Sequence, residues 1–556
     1  MGDYILDGGF RNYSQFAYKI VLPVLVLCIG LFAVTEFYFK LPFFIPYILV
    51  FMGLLFIVFY PYIVFEQRKV AMHENIHLFI TYAGTLSTLK LNRTLLFKKI
   101  AEEKEYGELA AFAEKIVYLS KSWNLGYAKT CRKMAVLSPS RIFGDFLDRL
   151  AAVLDFGEDV ETFLAEEQDA VMDDFTNEYN KSLESIRMLQ DVFISLTISI
   201  AFAMSAALLL PLLMGVSIMV VVRYSLLGLL FMDVLLILLI KGFIPSDQLC
   251  HNLTVTDTGT RRIIKGFIII MPLSFLLTSV LLYIDIFPFL FNLAIGLTPL
   301  LFVGLLAQQE ENEVFKRDKA FPAFIRAVGG TVSTRGGGVT SSLGALQVHD
   351  FGVLNEPMTN LYRRLKVGTD RFKAWLHFAG ETGSNLINYF AHIFAKSVYL
   401  GGDGLKIGEI ISKNFQRLLS MRKLRQQLAS GLRGALYGAL LGFVTTVYMS
   451  TAITQLLAGM FNSAIENAMA QENMANLVSS ILPSMPPIDM AEVNFYIGII
   501  VVIHALISAL IIKVVDGGSK YASMFDFVIM IWMGAGLSYV IPLMSRWAFG
   551  NMSMAG

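Results

Sequence analysis

Charged residues and cysteines are both scarce in this sequence, and each shortage excludes a class of protein. Only 16% of the 556 residues are charged, whereas about a quarter are charged in an average soluble protein. An ordinary soluble enzyme and a disordered chain are therefore excluded. Cys28, Cys131 and Cys250 are far apart, so they offer no CxxC pair and no disulfide framework. The net charge of +1 argues against a globally basic nucleic-acid-binding protein, and we expect no nucleic-acid partner.

Motifs for catalysis and for cofactor binding are missing as well. The sequence contains neither a GxxxxGK[ST] loop for nucleotide phosphates nor a GxSxG nucleophile motif. Gly336, Gly337 and Gly338 follow Arg335, but no Lys-Ser or Lys-Thr comes after them, and a turn between helices explains them. We therefore predict a protein that is not an enzyme, with no catalytic residues and no cofactor.

Long apolar runs are what the sequence has in excess, since 55% of its residues are hydrophobic. A helix needs about 20 apolar residues to cross a bilayer. The sequence predicts a multi-pass membrane protein with about nine spanning helices, near 17–39, 43–65, 191–213, 224–243, 264–286, 288–308, 434–460, 495–514 and 525–545. Two long polar blocks interrupt these spans, 66–190 and 309–433.

Lysine and arginine are distributed unevenly around the predicted spans. Lys241, Arg261 and Arg262 border the link 244–263, whereas the link 461–494 contains neither residue type. Cytoplasmic loops carry the excess of Lys and Arg. We therefore expect a protein of the cell (cytoplasmic) membrane whose N-terminus and both polar blocks are cytoplasmic and whose C-terminus and 461–494 link are external.

The chain repeats itself internally. Gly84-Thr-Leu-Ser-Thr88 recurs 246 positions later as Gly330-Thr-Val-Ser-Thr334, and the same offset aligns spans one, two and three with spans five, six and seven. Four spans separate the two polar blocks, so the repeats have parallel rather than inverted topology.

Apolar residues inside the polar blocks recur at three- and four-residue spacings, for example in 106–121 and 141–154, which predicts amphipathic helices. The predicted fold is all-α, with two homologous cytoplasmic antiparallel helical bundles on the membrane helices. The predicted domains are 1–65 with spans one and two, 66–190 as the first bundle, 191–308 with spans three to six, 309–433 as the second bundle, and 434–556 with spans seven to nine and an external loop at about 461–494.

The near-neutral total hides a charge difference between the two blocks. Block 66–190 has 16 Lys and Arg against 20 Asp and Glu, a net −4, whereas block 309–433 has 18 against 10, a net +8. Basic residues cluster in the second block at Arg363, Arg364, Lys366, Arg371 and Lys373, and again at Arg422, Lys423, Arg425 and Arg433. Two interpretations remain open: contact with anionic lipid headgroups, above all for the cluster near Arg433, and docking of an acidic protein partner, above all for the cluster 363–373. The docking candidates are Arg363, Arg364, Lys366, Arg371, Lys373, Arg422, Lys423 and Arg425.

One motif is typical of a metal site. His73-Glu74-Asn-Ile-His77 matches HExxH, which on a helix places two imidazoles on one face for zinc with the glutamate as general base. Catalytic zinc needs a third protein ligand, and no known downstream motif supplies one. We therefore predict no metal, and a zinc site of His73 and His77 with Glu74 is the alternative hypothesis.

Small and ionisable residues inside the predicted spans suggest helix contacts. Gly434, Gly438 and Gly442 recur every four residues, which allows close helix packing within the chain or across a dimer seam. Asp233 and His504 lie inside spans four and eight. Ionisable groups at such depth suggest function, but pairing inside the helix bundle explains them equally.

These features together resemble a known family. The residues that carry the resemblance are 73–77 and 79–88 in the first block, Gly329-Gly-Thr-Val-Ser-Thr334 in the second, and the nine-span plan over essentially the whole chain. The chain resembles the F-domain platform proteins of type II secretion and type IV pilus machines, and within them the archaellum assembly platforms. The resemblance also implies that the HExxH string is a family feature of proteins not known as proteases.

The resemblance implies a mechanism and a set of partners. Platforms of this kind lie in the membrane beneath a filament and couple it to a hexameric secretion ATPase docked from the cytoplasm, which drives filament assembly and, in the archaellum, rotation. The implied partners are this ATPase, the filament subunits (archaellins or pilins), the lipid bilayer and a second copy of the chain, most simply in a homodimer. The alternatives are the platform of an archaeal adhesion pilus and, in a different class, a membrane zinc metalloprotease.

Overall fold

The computed structural model describes residues 17–25, 44–89, 91–214, 218–244, 248–251, 258–336, 338–469 and 490–550. Within these residues every regular element is helical, and the only β-type pairing is an isolated bridge between Cys250 and Ser384. The all-α fold class predicted from the sequence is confirmed for the described part of the chain.

The first half of the chain forms helices α1 to α6 after a short π-helical turn, Ala17–Val21. Asn92 begins α2 by accepting a hydrogen bond on its side-chain oxygen from the Leu95 N–H at 2.8 Å. Gly157 ends α5 in the left-handed region at φ 74°, which a glycine adopts without strain. In order, the helices are Phe44–Ser87, Arg93–Ala101, Glu108–Ser122, Tyr127–Val136, Arg141–Phe156 and Val160–Met214.

The second half forms helices α7 to α17. They are Ile218–Phe243, Thr258–Ile284, Phe289–Leu297, Leu300–Arg335, Gly338–Leu346, Asn355–Lys366, Arg371–Thr382, Asn385–Tyr399, Gly404–Met469, Met490–Asp516 and Ser523–Gly550.

The two polar blocks contain the same succession of helices. A nine-residue helix, α2 or α11, is followed by a 3-10 turn, which is Lys104–Tyr106 in one block and Gly352–Leu354 in the other. Three helices come next, α3 to α5 or α12 to α14, and then one long helix of 55 residues, α6, or 66 residues, α15. This order is the one that the sequence repeat predicts.

The chain separates into two compact units, Met1–Glu178 with Ile325–Ser342 and Ile393–Asn414, and Tyr179–Phe324 with Leu343–His392 and Phe415–Gly556. The core of the first unit contains stacked aromatic rings. Phe79 of α1 packs edge-to-face on Phe143 and Phe146 of α5, with centroids 5.3 and 5.9 Å apart. Such pairs contribute about 0.5–1.5 kcal/mol beyond their buried area, so they fix α5 against α1.

Aromatic packing also positions the helices of the second unit. Phe324 of α10 lies 5.5 Å from Phe378 of α13, and Phe321 lies 4.8 Å from Phe415 of α15. All four rings are buried. Because closely packed interiors allow little sliding, α10 holds both α13 and α15 in a fixed register.

Six helices of the described residues are long and apolar enough to cross a membrane. A seventh candidate is the pair α9 and α10, which is bent by 46° at a break before Leu300. Pro299 lies in this break, where its missing N–H interrupts the helical hydrogen bonds. The six helices are Val160–Leu209, Tyr224–Phe243, Gly259–Ile284, Gly404–Met460, Ala491–Asp516 and Lys520–Ser545.

Six of the nine predicted spans therefore coincide with such helices, and the predicted span 288–308 falls on the bent pair. Most of the predicted span 17–39 lies outside the described residues, and the span 43–65 lies in α1, where the side chains of 44–56 are not described. At the seventh span the helix continues to Met469, beyond the predicted end at 460. Residues 470–489 of the predicted external link lie outside the described residues.

Candidate functional site

The basic cluster of the second block lies at one end of α12 and α13. Helix α12 buries Met358, Leu361 and Leu365, so the intervening basic residues turn outward. Asp370 begins α13 by accepting a hydrogen bond from the Lys373 N–H at 2.9 Å. The side chains of four predicted docking residues are exposed, namely Arg363, Lys366, Arg371 and Lys373.

This surface is not purely basic. Val367 and Phe372, between the basic residues in sequence, are 85% and 44% exposed. Arg364 is half-buried and forms an ion pair with Glu381 at the far end of α13, and Asn360 donates to the same carboxylate at 3.2 Å. Exposed apolar side chains among cations are typical of a protein-binding surface. The arrangement can bind an acidic partner that also presents apolar groups.

Two residues predicted to dock a partner are buried instead. Arg422 and Arg425 are only 5% and 4% exposed, whereas Lys423 between them is exposed. The prediction is corrected for these two arginines because they share the inward face of α15 with Met421 and Leu428. The signal that could have identified them is helical spacing, because Arg425 lies four residues after Met421 and three before Leu428, and Arg422 lies three before Arg425.

Both buried arginines have specific partners in the second unit. Arg422 donates to Asp318 at 2.9 Å, and Asp318, which is fully buried, also accepts a hydrogen bond from Ser384. Arg425 donates to the carbonyl oxygens of Val514 and Val515 at 3.0 and 2.6 Å. Sequence reasoning did not identify these partners, because nothing local marks a buried Asp318 or a helix end as the partner of a distant arginine.

Three further ion pairs join residues of α15, α10, α16 and α17. Lys513 donates to Glu311 and to Asp516, both at 2.8 Å. Arg433 donates to Asp526 at 2.8 Å, and the Tyr437 hydroxyl donates to the same carboxylate at 2.7 Å. Arg433, which the sequence associated with lipid headgroups, is therefore paired within the protein.

The HExxH residues lie on α1, and their rings contact an aromatic side chain. The rings of His73 and His77 lie 5.4 and 4.9 Å from that of Phe175 on α6. Burial lowers the pKa of His73, and nearby Glu178 partly opposes this shift. Among the described residues, no group of three or more His, Cys, Asp or Glu side chains could hold a metal ion. The two imidazoles thus pack against an aromatic ring.

The glycines of α15 face outward. Gly434, Gly438 and Gly442 are exposed, and a Cβ atom added at any of them would meet no described atom within 4 Å. Close packing inside the chain, one of the two interpretations of this pattern, is therefore not what these glycines provide among the described residues.

Asp233 of α7 and His504 of α16 pair with each other and are both fully buried. Nδ1 of His504 lies 3.1 and 3.0 Å from the two carboxylate oxygens. The ring of Phe193 stacks on the imidazole at 5.8 Å. Pairing inside the helix bundle is thus the interpretation that the geometry supports.

Comparison with known proteins identifies relatives over almost the whole chain. The chain is 34% identical to flagella accessory protein J of Methanocaldococcus jannaschii over 543 residues, which is 96% of this chain and 95% of the relative. It is 33% identical to flagella accessory protein J of Methanococcus voltae over 497 residues, 88% of each chain. An uncharacterised protein of Methanocaldococcus jannaschii is 23% identical over 29% of this chain and 28% of its own length.

Neither family models nor solved structures add to this result. No family model matches the chain. No solved structure matches it significantly.

Proposed function

The chain belongs to the family of flagella accessory protein J, the archaellum platform, and we propose that it docks a cytoplasmic hexameric secretion ATPase and couples ATP hydrolysis to filament assembly and rotation. It is an all-helical membrane protein of archaellum assembly. The names of its two long relatives favour the archaellum over an adhesion pilus. No observation favours the zinc protease.

The observation that carries the docking proposal is the basic surface of α12 and α13. Arg363, Lys366, Arg371 and Lys373 are exposed around apolar Val367 and Phe372. The sequence contains no phosphate-binding loop, so the energy of ATP must come from another protein. Arg364 belongs to the edge of this surface, whereas buried Arg422 and Arg425 are left out of it. Exposed Lys423 on α15 stays a separate docking candidate.

We propose for the whole chain the topology that the sequence predicts. It has nine spans, two F-domain bundles at 66–190 and 309–433, a cytoplasmic N-terminus and an external C-terminus. The six membrane-spanning candidates and the distribution of Lys and Arg support this topology. The first bundle, with its net −4, assists the second in docking. The filament subunits, archaellins, contact the external side.

We also propose that the protein works as a homodimer. The open glycine face of α15, at Gly434, Gly438 and Gly442, supports this arrangement, because rows of small residues allow close approach of membrane helices. A second copy could pack beside these glycines, where an added Cβ atom would meet no described atom within 4 Å.

The docking proposal is tested by neutralising the four exposed cations. Exposed ion pairs contribute about 0.2–1 kcal/mol each, so R363Q, K366Q, R371Q and K373Q together should weaken ATPase binding about tenfold or more. The affinity of the purified protein in lipid nanodiscs for the archaellum ATPase is measured at several salt concentrations. Salt should weaken the binding of the unmodified protein more than that of the variant.

The matched control neutralises four exposed cations of the first block, K121Q, K129Q, K133Q and R141Q. This control has the same change in net charge and should keep the larger part of the affinity. Equal binding by the α12–α13 variant and the unmodified protein, at every salt concentration, would exclude this surface as the docking site.

A further inference from the structure

A network of buried charges in the second unit connects the far end of α13 to the membrane helices. Helix α13 ends at Thr382, whose carbonyl oxygen accepts a hydrogen bond from Arg317 of α10 at 3.0 Å. Ser384 comes directly before the next helix, α14, and its hydroxyl donates to fully buried Asp318 of α10. Arg422 of α15 donates to the other carboxylate oxygen of Asp318 at 2.9 Å. Three helices therefore meet at one buried carboxylate.

The short segment 248–251, which follows the membrane helix α7, bonds to the same place by its backbone. The Asn385 N–H donates to the Leu249 carbonyl at 3.0 Å, and the His251 N–H donates to the Gly383 carbonyl at 3.2 Å. Arg422 donates to the Gln248 carbonyl at 3.1 Å. The link after α7 is thus attached to the corner between α13 and α14.

The C-terminal end of α16 is held in the same way. Its last carbonyl groups lack helical partners, and two of them, at Val514 and Val515, accept from buried Arg425. Lys513 of the same turn pairs with Glu311 of α10, and Glu311 also accepts from the Ser519 N–H at 2.6 Å. Both α15 and α10 are therefore attached to the end of this membrane helix.

Stability alone does not explain buried ion pairs of this kind, because proteins in which such a pair is replaced by apolar residues are often equally stable. Fully satisfied polar networks do fix one arrangement of the elements they join. Helix α13 carries Arg371 and Lys373 at its first turn and reaches the network at its last. Its twelve residues span about 18 Å. One rigid helix thus connects the docking surface to the ends of the membrane helices.

We propose that this network is the coupling junction of the protein, through which a displacement of α13 by a docked ATPase moves α16 and the helices packed on it. The junction consists of Glu311, Arg317, Asp318, Ser384, Arg422, Arg425, Lys513 and the segment 248–251. This inference rests on the proposed function. It assigns these side chains to positioning, because each of them bonds to other groups of this chain at the ends of α13, α14 or α16.

The test removes the ion pair between α10 and α16 and replaces its two side chains with apolar ones of similar volume. E311L with K513M replaces the buried pair, and E313L with K316M is the matched control, because Glu313 and Lys316 form an exposed pair on the same helix α10. Each protein carries a reporter cysteine, M544C, on the exposed surface of α17, together with C28S. Labelling is read by mass spectrometry of the peptide that contains position 544, so Cys250 of the junction is left unchanged. ATPase affinity and the rate of maleimide labelling with and without the ATPase are measured in nanodiscs.

The expected result separates binding from coupling. In the control and in the reporter background the ATPase should change the labelling rate about fivefold, the lower end of usual coupling between sites. The E311L and K513M protein should bind the ATPase with unchanged affinity but show no change in labelling. A full labelling response in this variant would overturn the inference.

Two further outcomes are distinguishable. Failure of the ATPase to bind the unmodified protein contradicts the docking proposal and, with it, the inference. Binding without any labelling response in the unmodified protein overturns the inference alone. If the double variant does not accumulate in the membrane, R425K gives the same comparison, since lysine keeps the charge but lacks the planar group that reaches two carbonyls. Its response should be reduced, and an undiminished one counts against the junction.

Discussion

At the scale of single residues, the repeated glycine motif has a steric explanation that differs between its two copies. Gly84 lies against the Gln168 side chain, so a Cβ there would come within 2.0 Å of the amide nitrogen. In the second copy the tight position is Gly329, where a Cβ would lie 2.2 Å from the Gly404 carbonyl oxygen. The sequence showed that these segments repeat, but it did not show which glycine allows two helices to approach closely.

We predict that G329A destabilises the protein whereas its neighbour G330A does not. The new methyl group at 329 meets backbone, which cannot move aside, and overpacking of this kind costs about 1–3 kcal/mol. At 330 the nearest atom is a Leu405 methyl at 3.7 Å, and alanine favours a helix by about 1 kcal/mol over glycine. Thermal unfolding of the detergent-solubilised protein should give a lower midpoint for G329A. Equal midpoints would contradict the packing argument.

Cys131 is predicted to be chemically inert. It is buried, and burial raises the pKa of its thiol to about 12, so very little reactive thiolate exists at pH 8. In a C28S background, iodoacetamide at pH 8 should modify partly exposed Cys250 long before Cys131, and Cys131 should react only after denaturation. Mass spectrometry of the two peptides measures both rates. Rapid native alkylation of Cys131 would show that this face of α4 is not buried.

At the scale of helices, the sequence predicted which helices form and in what order, but not which side chains they bury against one another. Periodicity predicted the amphipathic helices of both blocks, and six of the spans predicted from hydropathy overlap the six helices of the described residues that are long and apolar enough to cross a membrane. The buried faces of long helices were harder to predict. A charged residue beside apolar ones gives the same sequence pattern whether its side chain is exposed or is buried in an ion pair. Arg422 and Arg425 were predicted to be exposed for this reason, and only the fold brings Asp318 and the end of α16 to them.

The glycine face of α15 gives a prediction at this scale. Isoleucine at Gly438 and Gly442 would hold two helices apart at a seam that relies on close contact, so G438I with G442I should convert the proposed homodimer to a monomer. Light scattering after size-exclusion chromatography measures the mass. Gly459 is exposed on the same helix and an added Cβ there would meet no described atom within 4 Å, so G459I provides the control. If the double variant and the control both keep the mass of a dimer, the two copies contact each other through another surface.

At the scale of the whole molecule, the two sequence repeats meet at equivalent positions. In the second unit, the Ser450 hydroxyl donates to the Ser205 carbonyl and that of Thr454 to the Leu208 carbonyl, between residues 245 and 246 positions apart. In the first unit, Asn414 donates to Gln168, again 246 positions away. An interface in which each residue meets its counterpart is the type found in two-fold symmetric dimers. Helices α6 and α15 therefore pair as two copies of one element.

The charge of the repeats does not follow this symmetry. The two blocks have the same order of helices, but their net charges are −4 and +8. A charged partner can therefore distinguish one block from the other electrostatically. The repeat was visible in the sequence, but its packing was not, because an offset of 246 residues indicates similarity without indicating contact. The paired positions of α6 and α15 required the fold.

The contact between Asp233 and His504 offers a test of whether the next helices of the two repeats, α7 and α16, are also equivalent. The two residues are 271 positions apart on α7 and α16, the helices that follow α6 and α15, and each is fully buried against the other. D233H places two imidazoles together and H504D two carboxylates. Either change leaves a buried polar group without its complement, at a cost of about 3–5 kcal/mol.

If α7 and α16 are equivalent, exchanging the two side chains should restore the contact. We predict that D233H and H504D each lower the abundance and thermal midpoint of the membrane protein, and that the exchanged double variant recovers most of both. The recovery is measured as a double-mutant cycle on the unfolding midpoint, because coupling between contacting residues appears as non-additivity. Additive losses in the double variant would mean that the surroundings of the two positions have diverged too far for equivalence, even though their side chains touch.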